Sequence, residues 1–223
     1  MAAILAIDVW SDVVCPWCYL GTRRLEAALR ARPQIEARVT WRPFELNPEM
    51  PPGGADRADY LERKFGAGGR LQQTHERLVA LGREAGIGYR FEAIRRVPNT
   101  RAAHALVALA AERQDAVVEA LFRAYFEEAQ DVGDAGVLLE IGAAAGLPAA
   151  ELRAELTAPG RLAAIEAEER EAARLGIGGV PFFVFAGRWA VSGAQESAML
   201  VNALDQVAAA VASAPRAPAN PGS

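Results

Sequence analysis

The 223-residue chain reads as an α/β protein in which one open, mixed sheet is assembled from both ends of the sequence around a helical insertion. Three observations lead there. A strand–helix–strand pattern occupies residues 4–44, strand signals then disappear from residue 47 to residue 176, and a hairpin followed by a helix closes the chain.

Ile4 to Trp10 is an apolar, partly β-branched run of strand length, closed by Ser11 and Asp12. A helix follows. Pro16 suits a first helical position, Cys18, Leu25, Ala28 and Leu29 share one face, and Pro33 marks the end. Val39 to Phe44 is a second strand, and Pro43, which has no N–H for a ladder, puts that end at an edge or a bulge. Such a unit packs as a right-handed parallel crossover. From Asn47 to Gly54 the chain is rich in proline and glycine. Helical periodicity then covers 71–85, 101–112, 116–128, 137–145, 149–156 and 161–175, the last stopped by Gly176. An all-helical insertion is therefore expected. Val180 to Phe185 and Trp189 to Val191 form a hairpin about Gly187, and Ser192 with Gln195 has capping-box spacing before a helix ending near Ala212. Residues 214–223 contain no core-forming run and are expected to be disordered.

Composition narrows the function. A formal charge of -4 with only short arginine pairs gives no electrostatic footprint for nucleic acid or an anionic membrane. No segment is long and apolar enough to span a bilayer, and Asp8 interrupts the apolar N-terminal run, so a cytoplasmic location is expected. The chain has two cysteines, Cys15 and Cys18, too few for a disulfide framework. A structural zinc site needs about four ligands. His75 and His104 lie far from the pair in sequence, so no metal is expected.

Cys15-Pro16-Trp17-Cys18 is instead a dithiol at a helix start. Unpaired backbone N–H groups and the helix dipole favour a thiolate at that position. Cys18, three residues on, projects from the same face and can close a disulfide with Cys15. Cys15 would attack a substrate disulfide as the exposed sulfur, and Cys18, buried, would resolve the mixed disulfide. Trp17 adds bulk without a titratable group and should be exposed to substrate. The couple is accordingly expected to be mild, in the range of roughly -270 to -180 mV. A second element is Gly178-Gly179-Val180-Pro181. Pro181 reads either as a plain trans residue opening a strand or as a cis proline presenting the Val180 backbone to an extended peptide.

Trp10-Ser11-Asp12-Val13-Val14-Cys15-Pro16-Trp17-Cys18-Tyr19 and Gly178-Gly179-Val180-Pro181-Phe182-Phe183 resemble the two active-site motifs of DsbA-type thioredoxin-fold oxidoreductases, in the FrnE-like branch. Ser192-Gly193-Ala194-Gln195 resembles the start of that family's last helix, and Pro98-Asn99-Thr100 with His104 a motif of its insertion. The resemblance implies a thioredoxin fold formed by residues 1–46 and 177–213, a helical domain inserted at 47–176, dithiol–disulfide exchange, and a cis bond before Pro181. Kappa-type glutathione transferases and 2-hydroxychromene-2-carboxylate isomerases share this architecture, typically with serine where Cys15 stands. They also carry an Asp-Arg pair where this chain has Ala194-Gln195. Asp12, Asn99 and His104 are candidate supporting residues. Asn99 and Thr100 read equally as helix caps, and His104 either as a satisfied helix histidine or as a base brought over Cys15 by a helical lid.

The expected partners are disulfide- or thiol-containing proteins or small molecules. No resident cofactor is expected beyond the Cys15–Cys18 disulfide, with glutathione a candidate co-substrate. Two other readings compete. One is a glutathione-dependent isomerase or transferase anchored on Cys15, and the other a peptide-binding module at the Val180–Pro181 edge.

Overall fold

The computed structural model describes residues 4–66 and 69–213; the tail expected to be disordered lies outside them. A central strand, β1 (Leu5–Ser11), is followed by α1 (Pro16–Arg30) and β2 (Ala37–Pro43). The chain returns to the same sheet with β5 (Phe182–Phe185) and β6 (Trp189–Ser192) and ends in α9 (Ser197–Ser213). The sheet order is β2-β1-β5-β6, with β1 parallel to β2 and antiparallel to β5. Pro43 ends the edge strand, opposite Ser11, where its missing N–H leaves no gap in the sheet interior.

Alternation divides the sheet faces. Leu5, Ile7 and Val9 of β1 and Phe183 and Phe185 of β5 join the main core, together with Leu20 and Leu25 of α1 and Leu200 and Leu204 of α9. Trp10 points the other way, into a smaller cluster with Ala172 and Ile177. Val9 stands opposite Phe183 across the β1–β5 ladder, so the strand that delivers Cys15 and the strand that follows Pro181 are held in register by core packing.

The insertion contains α2 (Arg57–Phe65), α3 (Arg70–Glu84), α4 (Arg101–Leu109), α5 (Gln114–Phe126), α6 (Ala135–Ala144), α7 (Ala149–Glu155) and α8 (Pro159–Arg174). It is not purely helical. Two short strands, β3 (Ala55–Asp56) and β4 (Arg96–Val97), form an antiparallel ladder too short to leave a pattern of alternation in the sequence. Periodicity also missed α2. None of its residues is buried, so its apolar side chains form no core stripe. Its capping is nevertheless explicit: Asp56 accepts from the N–H groups of Ala58 and Asp59 at 2.8 and 3.1 Å, and Gly66 stops it at φ 70°. The helix expected over 101–112 breaks at Ala110, because Ala111 is left-handed (φ 47°) and a 3₁₀ turn follows. The last helix begins at Ser197, not at the Ser192–Gln195 spacing. Ser192 ends β6, Gly193 turns the chain at φ 79°, and the Gln195 amide donates to the Ser192 carbonyl.

The insertion is tied to α1 by stacked rings. Tyr19 stacks on Phe122 with centroids 4.9 Å apart, and its hydroxyl donates to Glu127 at 2.9 Å. Burial, then the negative charge of Glu119, pushes the Tyr19 hydroxyl well above its usual range. It stays a donor. Among the described residues no helix is long and apolar enough to cross a membrane.

Candidate active site

The site is built where β1 hands over to α1. The Cys15 N–H donates to the Asp12 carbonyl at 3.0 Å, and the Cys15 carbonyl accepts the N–H groups of Cys18 and Tyr19. Cys15 is the N-cap, with extended backbone (φ −92°, ψ 112°), and Pro16 begins the helix. The Cys15 side chain makes no cap hydrogen bond, and the residue stands at the positive end of the α1 dipole. Both cysteines are free thiols.

The expectation of an exposed Cys15 is corrected: its relative exposure is 3%, against 1% for Cys18. The cause is the loop before β5. The Val180–Pro181 bond is cis, and Cys15 Sγ lies 3.8 Å from the Val180 carbonyl oxygen, which it can reach as a weak donor. Trp17 is half-buried rather than exposed, packed against the core with the Arg77 guanidinium 5.9 Å above its ring. Cys15, Pro16, Trp17 and Val180 share one cleft of about 700 Å³, walled on its far side by α2 and α3. Burial pushes the Cys18 thiol well up, and the adjoining Cys15 adds to that through its hydrogen bond and its charge.

The supporting candidates separate from the cleft. Asp12, 1% exposed, accepts the Val14 N–H at 3.3 Å and the Leu46 N–H at 2.7 Å, so it fixes the loops on either side of Cys15. His104 is not over Cys15. It is buried behind the motif, with Nε2 3.7 Å from Asp12 Oδ1, and it does not line the cleft. Asn99 caps α4 by accepting the Arg101 N–H at 3.1 Å and donates to the Met50 carbonyl at 2.7 Å; the neighbouring Thr100 makes no side-chain cap bond. Capping accounts for Asn99.

Behind Asp12 lies an acid pair, the buried Glu45 and the half-buried Glu169. Glu169 Oε1 accepts the Glu45 N–H at 2.8 Å, and Glu45 is bridged by Arg101 at 2.7 Å, which also reaches Glu166 at 2.9 Å. Desolvation, then the Glu45 charge, pushes the Glu169 carboxyl up to about 7, against the opposing pull of His104 and Arg101. A carboxyl raised on folding binds more protons in the native state, so its contribution is present at low pH and is lost as pH rises through about 7. Glu169→Gln keeps an oxygen for the Glu45 N–H. It is expected to flatten the fall in urea midpoint between about pH 5 and about pH 8. An unchanged slope would reject the assignment.

Two positions that shape the site carry no motif. Tyr89 donates its hydroxyl to the Pro16 carbonyl at 2.5 Å, pinning the first turn of α1 to the insertion. Gly21 lets α1 approach the Pro181 loop: a Cβ there would lie 2.8 Å from Pro181 Cγ and 3.3 Å from Phe183. An isolated glycine inside a helical pattern is a legible sign of close packing. Nothing in the sequence near Tyr89 marks its role.

A dithiol at a helix N-terminus, facing a proline loop that leads into an antiparallel strand of the same sheet, defines the thioredoxin class. Within it, the chain belongs to the DSBA-like thioredoxin domain family, whose model matches residues 6–205. The structure is similar to a probable DsbA oxidoreductase from Streptomyces coelicolor (TM-score 0.85, 35% identity, covering 97% of this chain and 93% of that one). It also resembles a 2-hydroxychromene-2-carboxylate isomerase (TM-score 0.72, 17% identity, 93% and 98% covered). A third neighbour is the cytosolic disulfide reductase DsbM from Pseudomonas aeruginosa (TM-score 0.60, 19% identity, 93% and 97% covered), which has also been solved with GSH. The last two share the fold alone.

Proposed function

We propose that the protein is a thiol–disulfide oxidoreductase working through Cys15 and Cys18, with Pro16, Trp17, Val180 and Pro181 forming the surface on which a substrate disulfide is held. The observation that supports this most directly is the placement of both thiols at the start of α1, with Cys15 Sγ against the Val180 carbonyl. The Cys15 thiolate attacks one sulfur of a disulfide RS–SR, forming Cys15–S–S–R and releasing RS⁻. That step removes the Cys15 negative charge, one of the causes holding the Cys18 thiol up. Cys18 then loses its proton to the medium and attacks Cys15 Sγ, expelling the second RS⁻. Two electrons pass from the dithiol to the substrate, leaving a Cys15–Cys18 disulfide and two thiols. The reverse sequence oxidises a substrate dithiol.

On this reading the redox equivalents reside in the cysteine pair, without a separate cofactor, and thiol or disulfide compounds, glutathione among them, are the partners. A cytoplasmic site of action goes with it, as the DsbM reductase is described. Mass spectrometry tests the reading. Reduced protein treated with a small disulfide is expected to lose two hydrogen masses and to keep no adduct. A stable adduct on Cys15 that Cys18 never displaces would overturn it and favour the second reading, a glutathione-anchored isomerase or transferase. The fold shared with the isomerase keeps that second reading in play.

A further inference from the structure

The cleft beside the dithiol has a composition that the exchange chemistry does not require. Although the chain carries a formal charge of -4, among the described residues no aspartate or glutamate lines this cleft, whereas Arg57, Lys64 and Arg70 do. Lys64 and Arg70 are exposed at its mouth, and among the described residues no ion pair joins either of them to a carboxylate. The Lys64 ammonium is held in place by Asn47 Oδ1 at 2.8 Å and the Tyr60 hydroxyl at 2.6 Å, and it sits 5.2 Å from the Tyr60 ring centre. Fixed cations with low-dielectric walls concentrate anions.

The remaining surface is apolar and aromatic. Leu61, Leu71, Leu78 and Phe91 line the wall opposite Trp17, and His75 stacks on Phe91 with centroids 4.2 Å apart. Phe65, at the mouth, is 53% exposed. A volume of about 700 Å³ suits a small organic molecule. An apolar floor leading to the thiol, with cations at the lip, fits a body that is apolar near its sulfur and anionic at its far end.

We infer that the cleft selects small aromatic or similarly apolar disulfides, or their thiols, that carry a carboxylate. This rests on the thiol-exchange reading above and names the substrate class of that site. The step is the one already balanced: the substrate disulfide is reduced to two anionic thiols while Cys15 and Cys18 are oxidised.

Single-turnover rates of pre-reduced protein test it, with dithiobis(nitrobenzoate) as the anionic aromatic disulfide and dithiodipyridine as the neutral one. Each rate is divided by that of dithiothreitol with the same compound, which removes intrinsic reactivity. The normalised anionic-to-neutral ratio is expected to exceed unity, and to fall about tenfold in Lys64→Gln/Arg70→Gln. Arg174→Glu makes the same change in net charge on α8, away from the cleft, and is expected to leave the ratio alone. Oxidised glutathione, anionic but polar, is expected to exchange more slowly than dithiobis(nitrobenzoate) on the same scale. A wild-type ratio at or below unity, no change in the double variant, or faster exchange with oxidised glutathione overturns the inference. None of those results touches the dithiol reading, which falls if Cys15→Ser reacts with these disulfides as the wild type does, or if an adduct on Cys15 is never displaced by Cys18.

Discussion

Cys15→Ser is expected to lower disulfide exchange by at least ~10³-fold, the scale on which enzymes respond to loss of a nucleophile. A hydroxyl at the N-cap position is compatible with the start of α1, since serine is a favoured capping residue. Circular dichroism and the melting temperature should therefore stay close to wild type. Cys18→Ser should behave differently. Cys15 can still attack, so the first RS⁻ is released in stoichiometric amount, but the mixed disulfide then persists because no second thiol lies within reach. Rapid release of one equivalent without turnover, and a trapped adduct by mass spectrometry, is the expected pair of results. Equal loss of the first step in both variants would remove the distinction between attacking and resolving sulfur.

The second large effect is expected at a residue with no side chain of its own. Gly21→Ala gains helix propensity, worth about 0.5–1 kcal/mol. It also places a methyl group 2.8 Å from Pro181 Cγ and 3.3 Å from the fully buried Phe183 ring. A proline ring cannot rotate aside, and the Phe183 ring has no space to enter, so overpacking at about 1–3 kcal/mol outweighs the gain. A net loss of about 1–2 kcal/mol corresponds to a fall of roughly 2–8 °C in Tm for a chain of this size. The effect on exchange should be larger, about tenfold or more, because the contact separates α1 from the loop whose Val180 carbonyl faces Cys15 Sγ. Gly160→Ala in α8 is the control: nothing lies within 4 Å of its added Cβ, and wild-type rates are expected. Wild-type exchange in Gly21→Ala would show that this approach does not position the site.

The dithiol and its helix were legible because they are local. Cys15, Pro16 and Cys18 stand within one turn, and proline and N-cap preferences depend on neighbours along the chain. The strand–helix–strand start and the hairpin end were legible for the same reason, since a period of two or of 3.6 survives in a short window. Signals weakened where an element buries little. Helix α2 has no buried residue and the β3–β4 ladder is two residues long, and neither left a periodic trace, although α2 walls the cleft beside Cys15.

The burial of Cys18 was legible, but that of Cys15 was not. Whether Cys15 is open depends on Val180, which is 165 residues away in sequence, and on a loop whose position follows from the Val9–Phe183 register. His104 shows the same limit: only the packing of α4 put it beneath Asp12 rather than over the thiol. The sequence alone pointed to the family, to the thiol chemistry proposed above and to the helix that carries the two cysteines, because a dithiol, a proline and a helix start interact through bonds a few residues long. Only the tertiary structure decided how deeply Cys15 lies, that Gly21 and Tyr89 pack against its surroundings, and that, among the described residues, cations rather than carboxylates line the cleft. Those properties arise from contacts between segments far apart in the chain, 73 residues for Tyr89 and Pro16 and 165 for Cys15 and Val180, and such contacts leave no periodic mark on either segment.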